Sequence, residues 1–160
     1  MTVHLPGDPG GVVDRRAARV LLVDADDRVL LLRGTDPDDA GQGSWWFTPG
    51  GGLDEGESPV DAARRELAEE TVLELARAEL GEVVHERLAR FRFAGTEYRQ
   101  AEVFFLARVA AHEVDTGGFT AVETASITGH RWWPRPELGT TGEQVFPADL
   151  AQVLARVLAA

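Results

Sequence analysis

The chain predicts an α/β fold, with strands on both sides of a central helix and a second helix near the C-terminal end. Three patterns carry that expectation. Aliphatic runs of strand length occupy residues 18–24 and 29–33. Val60, Ala63 and Leu67 recur at helical spacing, and Leu150, Val153, Leu154 and Leu158 give residues 147–159 an apolar helical face.

Residues 1–14, rich in Gly and Pro, read as a flexible arm, and residues 15–160 as a single domain. The two aliphatic runs flank the polar Asp26-Asp27-Arg28, which makes them a β-hairpin. Residues 34–43 form an acidic loop. Its Asp36, Asp38 and Asp39 lack the in-register glycine and closing glutamate of a calcium loop, so it reads as a plain connection. Residues 45–48 are a short aromatic strand leading into Pro49-Gly50-Gly51-Gly52. Ser58 suits an N-cap, Pro59 the first helical position and Asp61 the first turn, so a helix runs over residues 58–71. Residues 78–93 and 98–110 are strand-like and meet at Ala94-Gly95-Thr96. Residues 130–133 give one more strand before the C-terminal helix of residues 147–159.

Composition narrows the chemistry. The 160 residues suit one domain that buries roughly 70% of its unfolded surface. The absence of cysteine excludes disulfides, thiolate nucleophiles and cysteine-ligated zinc. The chain has no lysine either, which excludes Schiff-base chemistry and the Walker-type phosphate loop. A formal net charge of −11 argues against a nucleic-acid polymer as partner, though a small phosphorylated ligand screened by metal ions is compatible with it. The N-terminal segment has no continuous apolar core of a signal peptide, and no run reaches transmembrane length. The expectation is a cytoplasmic protein with no membrane partner. Oligomeric state is open, a homodimer included.

The densest chemical signal is Glu66, Glu69 and Glu70, just after the glycine turn. On a helix, Glu66 and Glu70 lie one turn apart on one face with Glu69 beside them. Taken alone, such a Glu/Arg-rich helix is a solvated face, and Arg65 to Glu69 has the spacing of an ordinary ion pair. Three clustered carboxylates beside a loop rich in backbone carbonyls and amides also suit a magnesium ion, which prefers hard oxygen ligands.

The neighbouring residues decide between these readings. Gly51, Glu57, Arg65, Glu66, Leu67, Glu69, Glu70 and Leu73 fall on the pattern G-x5-E-x7-R-E-U-x-E-E-x-G-U, where U is aliphatic. This resembles the Nudix box, with one departure: Val72 stands where the family has its second glycine. The box covers residues 51–73, and the flanking sequence is similar to a Nudix domain over most of the chain. The resemblance implies an α/β/α sandwich with a mixed sheet between helices. It also implies a magnesium-dependent hydrolase, with manganese as a substitute, cleaving a diphosphate linkage in a nucleoside diphosphate derivative or a nucleoside triphosphate.

Residue by residue, it implies Glu66, Glu69 and Glu70 as metal ligands with a carbonyl near Gly50, and Glu69 as ligand or base. Arg65 joins them at the catalytic centre, orienting carboxylates such as Glu57 or Glu69. Outside the box, Glu102 and Glu123 are candidate bases, with Glu102 favoured because a strand places a carboxylate more rigidly than a loop. Arg33 is a candidate phosphate contact. Trp45 and Trp46 are candidates for stacking on a nucleobase, although alternation along a strand sends one of them into the core. The four histidines show no ligand spacing. Val72 leaves two routes out of the helix: continuation through Glu74 and Leu75, or another path. Two rival readings remain, a nucleotide-binding Nudix sensor without catalysis and the isoprenoid isomerase branch of the fold. The intact glutamates oppose the first and the missing cysteine the second.

Overall fold

Val20 and Leu22 of the first strand, β1 (Val12–Val23), face one core, while Leu21 and Val23 face another. A strand apolar on both faces is covered on both, and here that requires a layer of helix on each side. The computed structural model describes residues 11–110, 112, 119 and 121–159. Most of the expected arm lies outside that set, but Val12, Val13 and Asp14 already belong to β1 rather than to an arm.

After β1 the described elements are β2 (Arg28–Thr35), β3 (Ser44–Phe47), β4 (Gly50–Gly52), α1 (Pro59–Thr71), α2 (Arg77–Leu80), β5 (Val83–Phe93) and β6 (Thr96–Arg108). They continue with α3 (Ala121–Ser126), β7 (Ile127–Pro134), α4 (Arg135–Leu138), β8 (Val145–Phe146) and α5 (Leu150–Ala159). The strands form one mixed sheet in the order β5-β6-β1-β2-β3-β8, with β4 on β1 and β7 on β2. Helix α1 packs Ala62, Ala63 and Leu67 against one face. Helix α5 packs Leu150, Val153 and Leu154 against the other, beside Trp46 and Trp133. The expected α/β/α sandwich is the observed one. Among the described residues, no helix is long and apolar enough to cross a membrane.

The way β1 pairs positions the site. It runs parallel to β6 from Val12↔Glu97 to Val23↔Arg108, but meets β2 only at Val23↔Val29. Its middle pairs instead with the glycine strand, as Ala17↔Gly52, Ala18↔Gly51 and Arg19↔Gly50. The sheet therefore splits, and β4 fills the split.

Two expected elements are corrected. Residues 78–80 are not strand but part of the short helix α2, whose start is held by Glu79 accepting the N–H of Ala76 at 3.0 Å. The C-terminal helix begins at Leu150, because Phe146 pairs with Phe47 as part of β8 and residues 147–149 only lead into the first turn.

Candidate active site

Helix α1 begins as its residues dictate. Ser58 Oγ accepts the N–H of Asp61 at 3.3 Å, and Pro59 occupies the first turn, where no intrahelical N–H is needed. The helix ends at Thr71. Val72 takes the left-handed conformation (φ 62°, ψ 10°) and donates its N–H to the Ala68 carbonyl at 2.9 Å. The chain thus leaves the helix at the position of the family glycine, and the alternative of helix through Glu74 and Leu75 is not what forms.

Glycine is required at the other edge of the site. Gly50 has φ +142°, and a Cβ there would stand 2.2 Å from the Ala18 carbonyl oxygen. A Cβ on Gly51 would lie 2.6 Å from the Glu66 carboxylate. These absent side chains let the strand and the helix carboxylates touch.

Arg65 is the hub. Its guanidinium holds Glu57 bidentately, at 2.9 and 3.0 Å, and donates to Glu66 at 2.9 Å and to the Gly52 carbonyl at 3.0 Å. It reaches Glu69 at 3.5 Å. The hydrogen bonds to Glu57 raise the Arg65 pKa further above its ordinary value, and the same bonds lower that of Glu57. Arg65 thus contacts three carboxylates, the expected Glu57 and Glu69 together with Glu66.

The carboxylates differ in setting. One oxygen each from Glu66, Glu69 and Glu123 lie within 4.8 Å of one another. Burial raises the Glu66 pKa, with Arg65 opposing and Glu69 and Glu123 reinforcing the rise. Glu70 is buried, and its carboxylate accepts the Gly50 N–H at 2.7 Å. Burial and the neighbouring Glu66 raise its pKa well above the ordinary carboxylate range. Groups so placed favour protons until a cation replaces them, and a set of hard oxygens fits magnesium or manganese.

The remaining expected residues fall differently. Glu102 is buried between Arg19 at 2.9 Å and Arg87 at 2.6 Å and accepts from Gln100 at 2.8 Å. Burial raises its pKa, but the two guanidiniums outweigh that and hold it below its usual value. Glu102 is therefore tied up in ion pairs, and Glu123 is the glutamate from outside the box that meets the helix. The Gly50 carbonyl accepts from Arg19 at 3.0 Å. Arg33 is exposed and donates to Ser44 Oγ at 3.0 and 3.2 Å. Trp46, 9% exposed, belongs to the core, where its Nε1 donates to Glu143 and its ring meets Trp133 edge-on at 5.3 Å. It is a packing residue and not a stacking platform. Trp45 points to the opposite face of β3.

Sequence reasoning missed Arg15, Arg19 and Gln100, which surround Glu102. Alternation along β1 puts Arg15 and Arg19 on one face, but only the parallel β1–β6 register brings them to β6.

The model of the NUDIX domain matches residues 13–157. The chain belongs to the Nudix family. A 26-residue stretch is 73% identical to an RNA pyrophosphohydrolase of Bartonella bacilliformis, covering 16% of this chain and 15% of that relative. Among solved structures, a MutT protein from Methanosarcina mazei has TM-score 0.64 at 17% identity, over 91% of this chain and 94% of that one. A dihydroneopterin triphosphate pyrophosphohydrolase from E. coli has TM-score 0.61 at 23% identity, over 91% and 96%. An Ap4A hydrolase from C. elegans has TM-score 0.59 at 16% identity, over 91% and 98%. At these identities, the Nudix likeness to solved structures is one of fold.

Proposed function

We propose that this Nudix chain is a divalent-metal-dependent pyrophosphohydrolase. Its substrate is a small nucleotide-type molecule, either a nucleoside diphosphate derivative or a nucleoside triphosphate, and the bond cleaved is a diphosphate linkage. The observation that carries this reading is the convergence of Glu66, Glu69 and Glu123 within 4.8 Å, beside buried Glu70. A pure binding module has no use for so much desolvated negative charge. Three of the four named relatives carry different molecules in their names, RNA, dihydroneopterin triphosphate and Ap4A, and all three are named as hydrolases. The net charge of −11 favours a small substrate over a polymer.

Glu66 and Glu70 would hold the ion, with Glu69 and Glu123 sharing the roles of further ligand and general base. A bound magnesium or manganese ion supplies Lewis acidity to phosphate oxygens and to water. Arg65 fixes the orientation of Glu66 and Glu69 while staying off the substrate. Glu123 of α3, whose carboxylate converges with those of Glu66 and Glu69, would take a proton from an attacking water. Trp45 is the one of the two tandem tryptophans left to stack on a base, and exposed Arg33 is available to a phosphate.

The test is a phosphate-release screen over nucleotide sugars, dinucleotides and nucleoside triphosphates with magnesium or manganese. On the best substrate, Glu69→Gln and Glu123→Gln should each lower turnover by ~10²–10³-fold with smaller changes in nucleotide affinity. If the wild type binds nucleotides yet releases no phosphate with either metal, the sensor reading replaces this one.

A further inference from the structure

Strand β5 ends the sheet, pairing with β6 and with no other described strand. Its outer edge presents backbone N–H and C=O groups, and an open edge is a template for another strand. The β5–β6 turn shows which residues supply them. Ala94 and Gly95 have φ 51° and 79°, the two-residue hairpin turn that closes on Phe93 and Thr96. Phe93 and Thr96 then form a hydrogen-bonded pair, and alternation turns the backbone groups of Arg92, Arg90, Leu88 and Glu86 to the open edge. Gln42 already donates to the Arg92 carbonyl at 3.4 Å, which closes the edge there. At the other end the ladder is irregular between Val83 and His85. The free stretch is short and regular, with Leu88 in its middle.

The side chains of Glu86, Leu88 and Arg90 share one face of β5 and are exposed, Leu88 to 66%. Across the ladder Glu86 faces Val103, and Arg90 faces the like charge of Arg99. Asp14, which feels Arg90, accepts its hydrogen bonds from Arg99. Neither Glu86 nor Arg90 therefore has an opposite charge directly across from it. Pairing β5 with itself, antiparallel about a twofold axis, supplies one in a single register. Centring on Glu86 or Arg90 sets that residue's charge against itself, and centring on Arg87 does the same for Arg87. Centring on Ala89 sets Leu88 against Arg90 and needs the edge at Arg92 that Gln42 occupies. Centring on Leu88 sets the two leucines together on the axis and Glu86 against Arg90 of the partner, twice by symmetry.

We propose that β5 pairs in this last register with β5 of a second copy of the chain, making one continuous sheet across a twofold dimer. Charge complementarity of the strand with itself selects a second copy as occupant. Strands β6 and β1 separate the paired edge from β4 and the carboxylates beside it, so the dimer leaves that site open.

The test is sedimentation equilibrium of the full chain over a range of concentrations. Wild type should dimerise. Arg90→Glu sets glutamates against each other at both ends of the pairing and should weaken the dimer roughly tenfold or more, as should Glu86→Arg. The double variant Glu86→Arg/Arg90→Glu restores opposite charges and should recover most of the wild-type affinity, which a merely structural defect would not allow. If a single variant does not fold, Leu88→Arg, which brings two guanidiniums together on the axis, carries the same measurement. A wild type that stays monomeric, single variants that dimerise as wild type does, or a double variant no tighter than the singles overturns the assignment.

Discussion

Glu70 accepts the backbone N–H of Gly50 at 2.7 Å, joining the buried side of α1 to the glycine strand β4. The bond gives a structural role to a group that is also a proposed metal ligand. Substitution separates the two roles. Glu70→Gln keeps an acceptor for Gly50 and removes a charge whose burial is unfavourable, so thermal stability should equal or exceed that of wild type. Manganese affinity should fall tenfold or more, a loss of at least about 1.4 kcal/mol. Glu70→Leu should instead leave the Gly50 N–H unsatisfied and cost about 1–3 kcal/mol. Calorimetry and thermal melts on both variants test this, and unchanged manganese affinity in Glu70→Gln would remove Glu70 from the ligand set.

The pKa directions at Glu66 and Glu70 give a pH signature. Both are raised above the ordinary value of 4.5, mainly by burial. A carboxyl with a raised folded-state pKa contributes stability that is fully present below its unfolded value and lost as pH rises through the folded one. The metal-free protein should thus lose this contribution on going from acid towards neutral pH. Glu57, lowered by its bonds to Arg65, runs the other way, its contribution vanishing as pH falls through its folded value below 4.5. A cation binds the ionised carboxylates, so the rise in Tm on adding manganese should be small near about pH 5 and larger near about pH 8. A rise independent of pH between those points would show that these carboxylates do not take the ion.

How much of this was legible depends on how local the cause is. Ser58, Pro59 and Asp61 announce α1, and Ala94-Gly95 announces the β5–β6 turn, because caps and turns act over a few residues. Alternation correctly sends one of Trp45 and Trp46 inward, though it does not say which. Register is not local. The Arg19–Glu102 pair spans 83 residues and exists only because β1 and β6 run parallel, so Glu102 looks available in sequence and is occupied in the fold. Glu123 is the converse. It sits outside the box in a region with no strong pattern, and only the tertiary fold brings it to Glu66 and Glu69.

Val72 offers the last test, because it holds a conformation its side chain resists. At φ 62° a β-branched residue crowds the backbone, and left-handed non-glycine residues cost of order 1–3 kcal/mol. Glycine relieves that crowding but adds freedom to the unfolded chain, costing about 0.4–1 kcal/mol. The side chain is 46% exposed, so its removal gives up limited packing. Val72→Gly should therefore stabilise the protein by roughly 1 kcal/mol, a rise in Tm of about 2–4 °C. The exit it controls has two further ties: Thr71 Oγ1 accepts the N–H of Leu73 at 3.2 Å, and the Thr71 carbonyl contacts His112 Nε2 at 2.8 Å. Both involve neighbouring residues and survive the substitution, so manganese affinity should be unchanged. A lower Tm in Val72→Gly would mean that packing of the valine outweighs the backbone strain.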